Sequence, residues 1–298
     1  MSTVAILGLG LMGGSLAHDL AYAGHEIVGF DRAPDVLRAA HAQGVVHDVL
    51  GPELQGLQRA EIVVLAVPVN AAVRLLRHAQ PRLKDALLVS DVGSTKRAIC
   101  ALAETLGLGA RFVGSHPFAG DHRSGWDAAR AGLFRGARVF LCPVQSSSAD
   151  VLDRARAFWE GVGGQPQVID AETHDELLAW SSHLPQFASS AVALALAQAG
   201  VLPDQLGRGG RDVTRLAASD PDLWTDVALQ NADHISAGLA ALQLRLQELR
   251  TIIDTGNEAK VRAFLGQALR WSYGQRSAVS GDSAPLNHNV RGKDLSQS

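Results

Sequence analysis

A glycine spacing constrains this chain more than any other feature. Gly8-Leu9-Gly10-Leu11-Met12-Gly13 follows directly on the apolar run Val4-Ala5-Ile6-Leu7, and it opens a stretch with helical spacing from Leu11 to Tyr22. A second strand pattern, Glu26 to Phe30, ends at Asp31. Strand, glycine turn, helix, strand and a terminal acid roughly 20 residues on make the fingerprint of a dinucleotide-binding βαβ unit. Gly8 permits the tight turn, Gly10 lets backbone approach a pyrophosphate, and Gly13 lets the helix pack on the strand. Leu11 and Met12 open the helix, whose free N–H groups face the phosphates. Asp31 is expected to accept hydrogen bonds from the adenosine ribose and to repel a 2′-phosphate. That favours NAD over NADP, with the adjacent Arg32 pulling weakly the other way. A glycine turn holding no ligand is the bland alternative.

The alternation continues through the first half. Pro34 to Ala42 reads as a helix, and Ile62 to Val67 as an apolar strand stopped by Pro68. Asn70 can cap a helix running to about Ala79. Leu87 to Ser90 is another strand, followed by a helix from about Lys96 to Leu106; Phe112 to Gly114 and Val139 to Cys142 are further strands. Continuous apolar strands alternating with helices imply a parallel sheet covered on both faces. The fold class is therefore α/β, with a doubly wound Rossmann-type domain over about residues 1–170. In open sheets of this kind ligands lie beyond the carboxyl ends of the strands, so Val67, Pro68 and Asp91 join the glycine loop as expected cofactor contacts.

After about Asp170 strand signals stop, and residues 171–298 read as an all-α domain. Glu172 to Ala199 is one helical pattern interrupted near Pro185. Ser219-Asp220-Pro221 is a strong helix start, from which a helix can run past Glu248, and another covers about Glu258 to Trp271. The residues from about Ser280 read as a loose polar tail. Leu177 to Pro203 carries no formal charge, but its serines, His183, Pro185 and glutamines make a buried helix in an oligomeric core the expectation, rather than a membrane span.

Composition excludes several classes. With 47% hydrophobic and 19% charged residues the chain can bury a core, so it is not a disordered one. A net charge of −3 with no basic run argues against nucleic acid as a partner. Two cysteines, Cys100 and Cys142, cannot make a disulfide framework, and together with the absence of a basic leader before Thr3 they point to the cytoplasm.

Two loops carry chemistry. Asp91-Val92-Gly93-Ser94-Thr95-Lys96 follows a strand on the side where a nicotinamide should lie, though Ser94 can also simply start the next helix. Ser115-His116-Pro117 ends another strand, and the proline stiffens a histidine well placed for proton transfer near neutral pH. No ligand spacing for a metal is present: His116 and His122 share a loop region without cysteines or paired acids.

Taken in order, these motifs resemble a known family. Gly8–Gly13 with Asp31, Asp91–Lys96, Ser115-His116-Pro117 with Gly120, Ser182-His183-Leu184-Pro185, Asp212-Val213-Thr214-Arg215, and Ser219-Asp220-Pro221 with Trp224 and Asn231 look like the prephenate/arogenate dehydrogenase (TyrA) family, over about residues 3 to 275. The resemblance implies oxidation of a cyclohexadienol by NAD with loss of the ring carboxylate as carbon dioxide. It implies that His116 takes the proton of the ring 4-hydroxyl, that Ser94 helps to orient it, that Arg215 binds a substrate carboxylate, and that His183 lies on the substrate side. Relatives often have histidine where Gln186 stands and glutamate where His122 stands. Both positions are expected near the substrate side chain, where Gln186 can donate a hydrogen bond but brings no charge. Prephenate is the expected substrate, arogenate the alternative, and a homodimer the expected assembly. Neither a chorismate mutase segment nor a regulatory domain is expected beside these two domains. A β-hydroxyacid dehydrogenase would need a lysine near the glycine-rich Gly207–Arg211, which has none. A non-catalytic NAD sensor would not need both His116 and Arg215.

Overall fold

The alternation of apolar residues along each strand decides which face of the sheet each one covers. In the computed structural model, which describes residues 1–120 and 123–278 and side chains to residue 274, Val4 and Ile6 enter one buried cluster while Ala5 and Leu7 enter the other. The same split separates Val64 from Val63 and Leu65, and Val113 from Phe112. A sheet buried on both faces is the result.

Its elements in chain order are β1 (Thr3–Leu7), α1 (Leu11–Tyr22), β2 (Glu26–Phe30), α2 (Pro34–Ala42), β3 (Asp48–Val49), β4 (Ile62–Leu65), α3 (Val69–Ala79), β5 (Leu88–Asp91), α4 (Arg97–Thr105), β6 (Phe112–Pro117), β7 (Arg138–Pro143), α5 (Ala149–Gly161) and β8 (Gln165–Val168). The strand order is β3-β2-β1-β4-β5-β6-β7-β8. Buried residues of α1, α2 and α5 join one cluster, and those of α3 and α4 the other. The chain reverses direction across the sheet between β1 and β4, which opens the crevice where such folds bind ligands.

The sheet is not wholly parallel. β7 runs antiparallel to β6, pairing His116 with Phe140, and β8 returns parallel to β7. The two-residue β3 and the polar β8 (Gln165-Pro166-Gln167-Val168) carry no apolar run, so the sequence does not announce them.

The helical part comprises α6 (Ala171–Leu178), a π turn (Ala179–His183), α7 (Leu184–Gln198), α8 (Arg208–Thr214), a 3₁₀ turn (Arg215–Ala218), α9 (Pro221–Gln230), α10 (Ala232–Asp254) and α11 (Glu258–Ala278). The interruption expected near Pro185 is a π turn that runs directly into α7, with Pro185 its second residue. Two expectations are corrected. The helix starting at Pro221 stops at Asn231, whose backbone leaves helical geometry (φ −128°, ψ 33°). Asn70 is not a cap but lies in the first turn of α3, after Pro68. Within the single chain Val192 and Leu194 of α7 are exposed, in the stretch expected to lie in an oligomeric core. No described helix is long and apolar enough to cross a membrane.

Two compact units divide at Leu239 and Ala240. The first holds the sheet and the helices up to the start of α10. The second holds the rest of α10 and α11, joined by a turn in which Gly256 takes a left-handed backbone (φ +63°).

In the first unit, helical-part carboxylates complete two sheet-helix N-termini. Neither α3 nor α4 has a side-chain cap of its own. Asp226 of α9 accepts from the Asn70 N–H at 3.3 Å and from its side-chain amide. Asp175 of α6 accepts from the Lys96 N–H at 2.8 Å and the Arg97 N–H at 3.0 Å. Ser94 is therefore not the start of α4. Orphan amides at a helix N-terminus need acceptors, and here they come from about 80 or more residues away in sequence, beyond the reach of local capping rules.

Candidate active site

At the glycine loop, each glycine has a different physical reason. Gly8 has φ +106°, and a Cβ there would sit 2.5 Å from the Ala66 carbonyl oxygen. A Cβ on Gly13 would overlap the carbonyl oxygen of Gly8. A Cβ on Gly10 would meet no other part of the chain within 4 Å, so that side is open for a ligand. Gly10 is also the N-cap of α1 and supplies no side-chain acceptor, which leaves helix N–H groups for an anion. Leu11 and Met12 are half-buried beside it, as is Val67 across the crevice, while Pro68 is exposed. Asp31 also braces the glycine loop, because its carboxylate accepts from the Leu9 N–H at 2.8 Å and the Ala33 N–H at 2.9 Å. It does so while staying half-exposed. Arg32 is exposed. These residues fit a dinucleotide.

Asp91 departs from expectation. It is 0% exposed, so its carboxylate cannot face a cofactor. It pairs with the equally buried Lys96 and accepts from the Gly93 N–H at 2.8 Å and the Ser115 N–H at 3.1 Å. Lys96 also donates to the Ser115 carbonyl at 2.8 Å. The Ser115 hydroxyl accepts from Trp159 Nε1 at 2.9 Å and lies 2.8 Å from the Ser90 hydroxyl. The residue before His116 is thus held by its N–H, carbonyl and side chain at once. Ser94, on the same loop, is half-buried and makes no hydrogen bond among the described residues.

His116 is buried, with Nδ1 2.9 Å from His174 Nε2. His174 Nδ1 lies 2.7 Å from Asp175 Oδ1. Burial, with the positive Lys96 and the neighbouring histidines adding to it, holds His116 well below the usual histidine range. His174 is also lowered, again mainly by burial, against the pull of Asp175. Burial pushes Asp175 up, but hydrogen bonds from His174 and the Arg97 and Lys96 amides outweigh it and keep the carboxylate ionised. His183, at the end of the π turn, is lowered to about 4, mainly by burial. Its Nδ1 lies 3.2 Å from the Asn231 amide nitrogen, and its ring packs edge-on against Trp224 at 5.9 Å.

Arg215 lies on the exposed 3₁₀ turn and has no salt bridge among the described residues. Gln186 is buried, donates one amide N–H to the Leu216 carbonyl at 2.7 Å, and accepts from the Ser219 hydroxyl at 3.2 Å. Those bonds pin the turn that carries Arg215. His122 lies outside the described residues.

His174, Asp175 and Arg97 belong to the site although no motif marks them. Arg97 pairs with Asp233, lies 3.4 Å from Asp175, and donates to the Asn231 carbonyl oxygen at 3.0 Å. The one local signal is the adjacent His-Asp pair, and its partner on β6 is 58 residues away.

Fold and site together define a dinucleotide-dependent oxidoreductase that keeps a buried histidine neutral. The comparisons narrow that class. Residues 16–168 match "Prephenate dehydrogenase, nucleotide-binding domain", and residues 170–267 match "Prephenate dehydrogenase, dimerization domain". The chain is 33% identical over 273 residues to prephenate dehydrogenase of Lactococcus lactis subsp. cremoris, covering 89% of this chain and 75% of that one. Prephenate dehydrogenase of A. aeolicus, solved in complex with hydroxyphenyl propionate and NAD+, superposes with a TM-score of 0.84 at 29% identity, covering 94% of this chain and 99% of that one. Synechocystis arogenate dehydrogenase superposes with a TM-score of 0.77 at 31% identity over 93% and 99%. The chain belongs to the prephenate dehydrogenase family.

Gly10→Ala, placed in open space, should fold normally but weaken NAD binding at least about tenfold, since a methyl group then occupies the ligand's approach. Gly13→Ala should instead lower thermal stability by more than about 1 kcal/mol, as overpacking does. Calorimetry with and without NAD separates the two; equal behaviour of both variants would contradict the assignment. Gln186→Ala should loosen the Arg215 turn, raising KM for substrate while kcat and NAD affinity change less than about twofold. A kcat defect without a KM change would place Gln186 in the chemistry instead.

Proposed function

We propose that this chain catalyses the NAD-dependent oxidative decarboxylation of prephenate to 4-hydroxyphenylpyruvate, a step of tyrosine biosynthesis. The observation that carries this reading is His116: buried, neutral, and hydrogen-bonded through Nδ1, with Nε2 making no hydrogen bond among the described residues. When bound, NAD accepts the hydride from ring C4. The glycine loop and the α1 N-terminus hold its pyrophosphate, and Asp31 its ribose.

His116 Nε2 takes the proton of the 4-hydroxyl as the hydride departs, so the carbonyl forms neutral rather than protonated. The carboxylate at ring C1 then leaves as carbon dioxide. Its bonding electrons aromatise the ring, and His116 returns the borrowed proton to the phenolate oxygen. Ser94 orients the hydroxyl. Arg215 meets a substrate carboxylate with a planar two-pronged donor. Gln186 acts through that turn.

Arogenate is the second reading. It carries an amino group where prephenate has a keto oxygen, a difference that leaves the carboxylate contact proposed for Arg215 unchanged. Parallel assays of both substrates with NAD and NADP decide it.

We also propose a homodimer. Leu244, Ile253, Leu265, Leu269 and Trp271 are all more than half exposed on α10 and α11, an apolar surface that marks an interaction site, and twofold pairing is the commonest closed assembly. A cytoplasmic location agrees with two free, buried thiols.

Light scattering at micromolar concentration should give twice the chain mass; a monomer would contradict the dimer. His116→Asn should lower kcat by about 10²–10⁴-fold while NAD binding persists. In the unmodified enzyme, activity should fall as pH falls, because protonated His116 cannot accept. Since burial lowers its pKa, the midpoint of that acid limb in kcat/KM should lie below histidine's ordinary value of about 6.5. A midpoint at or above that value would show that another group controls the limb.

A further inference from the structure

One polar network touches both buried site histidines, and it touches them with opposite chemistry. Asp175, an ionised carboxylate, can only accept hydrogen bonds. His174 Nδ1, 2.7 Å away, must therefore donate to it. A neutral His174 then has only a lone pair at Nε2, so His116 Nδ1, 2.9 Å from it, must donate. A neutral His116 is left with its lone pair at Nε2.

At His183 the logic runs the other way. Asn231 accepts through its carbonyl oxygen from Arg97 at 3.0 Å and donates through its amide nitrogen to the Asp175 carbonyl at 2.7 Å. Those two partners fix which end of the amide is which. The amide nitrogen is therefore what faces His183 Nδ1 at 3.2 Å. It can only donate, so His183 Nδ1 accepts, and a neutral His183 carries its proton on Nε2. Neither Nε2 has a hydrogen-bond partner among the described residues. Asp91 and Lys96 stand behind the pair on the β5–α4 loop, and Arg97 reaches across to Asp233.

We propose that the Arg97–Asn231–Asp175–His174 network sorts the two histidines into opposite tautomers, so that His116 offers the substrate an acceptor while His183 offers it a neutral donor. His174, Asp175, Asn231 and Arg97 are then positioning residues. The inference rests on the oxidative reading above, in which a hydroxyl loses its proton at His116. His183 Nε2–H is the complement of that acceptor, since it can hold an oxygen of the same substrate without adding a charge to the pocket. No electrons move in this arrangement. The single proton transferred goes from the substrate oxygen to His116 Nε2 and back, and the Nδ1–H bond to His174 stays intact.

The test reads the tautomers directly. Two-bond ¹H–¹⁵N NMR of ring-labelled histidine in the substrate-free full-length protein, with peaks assigned by His116→Asn and His183→Asn, should show a proton on Nδ1 of His116 and on Nε2 of His183. The same tautomer in both rings, or the reverse pair, overturns the proposal whatever the substrate proves to be. Asn231→Asp offers only acceptors to His183 and should move a proton to its Nδ1; an unchanged His183 spectrum overturns the inference. His174→Phe removes the acceptor for His116 and should lower kcat at least about tenfold, with NAD affinity within about twofold. His174→Gln, whose amide oxygen can accept the same bond, should recover most of that loss. Equal loss in both variants means that His174 only fills space. NMR as expected with no turnover of prephenate or arogenate would reject the oxidative reading and leave the tautomer assignment standing.

Discussion

One buried carboxylate organises the structure. Asp175 accepts from two backbone N–H groups at the start of α4, from His174, and lies 3.4 Å from the Arg97 guanidinium. Leaving an ionised group buried is tolerable only when hydrogen bonds replace its water, and here every bond has a second consequence. The amides it accepts from would otherwise be orphaned at a helix end. The histidine it orders is hydrogen-bonded to His116, the proposed base. The arginine it faces also orders Asn231, and through it His183. The helix cap, the junction between sheet and helical part, and the proton chemistry are therefore one electrostatic unit.

How much of this the sequence disclosed follows from the range of each interaction. The glycine loop was legible because its causes are local: Gly8, Gly13 and the end of β2 lie within one βαβ unit. His116 was legible because proline and a strand end flag it. Strands with apolar runs were legible, whereas β3 and the polar β8 were not, since pairing rather than burial makes them strands. Asn231 read as part of a long helix because its helix-breaking cause, a buried side chain engaged with Arg97, Asp175 and His183, comes from elsewhere in the chain. His174 and Asp175 had no local signal beyond adjacency. Asp91 stands out as a residue, yet spacing misplaces its contacts: its carboxylate is buried against Lys96, Gly93 and Ser115 rather than turned to a ligand. Motifs disclose where a ligand binds more readily than what holds the binding groups still.

The β5–α4 loop illustrates that second category. Lys96 and Asp91 form an ion pair with no solvent access, which gains little net stability against the desolvation of both charges. Its value is geometric. The pair fixes the N–H and carbonyl of Ser115, and with them the direction in which His116 leaves the sheet. Lys96 also acts electrostatically, since a fixed positive charge beside His116 adds to the effect of burial in keeping that ring neutral.

Neutrality of the inner site then explains where the cation has to be. A dianionic substrate needs positive charge and the base needs a neutral ring, and Lys96 beside His116 is buried against Asp91 and cannot meet the substrate. The structure separates the two needs. His116, His174 and His183 are buried and held below the ordinary histidine range, while Arg215 is exposed on a turn that Gln186 ties to α7. On the proposed reading, carboxylate recognition falls to a screened position, where an unpaired arginine costs little desolvation, and proton transfer to a desolvated one, where a neutral imidazole is the stable form. Gln186 suits this division better than a titrating residue would: it holds the turn through a carbonyl and a hydroxyl without adding charge between the two regions. Burial, His174 and Lys96 are then left to set the electrostatics around His116.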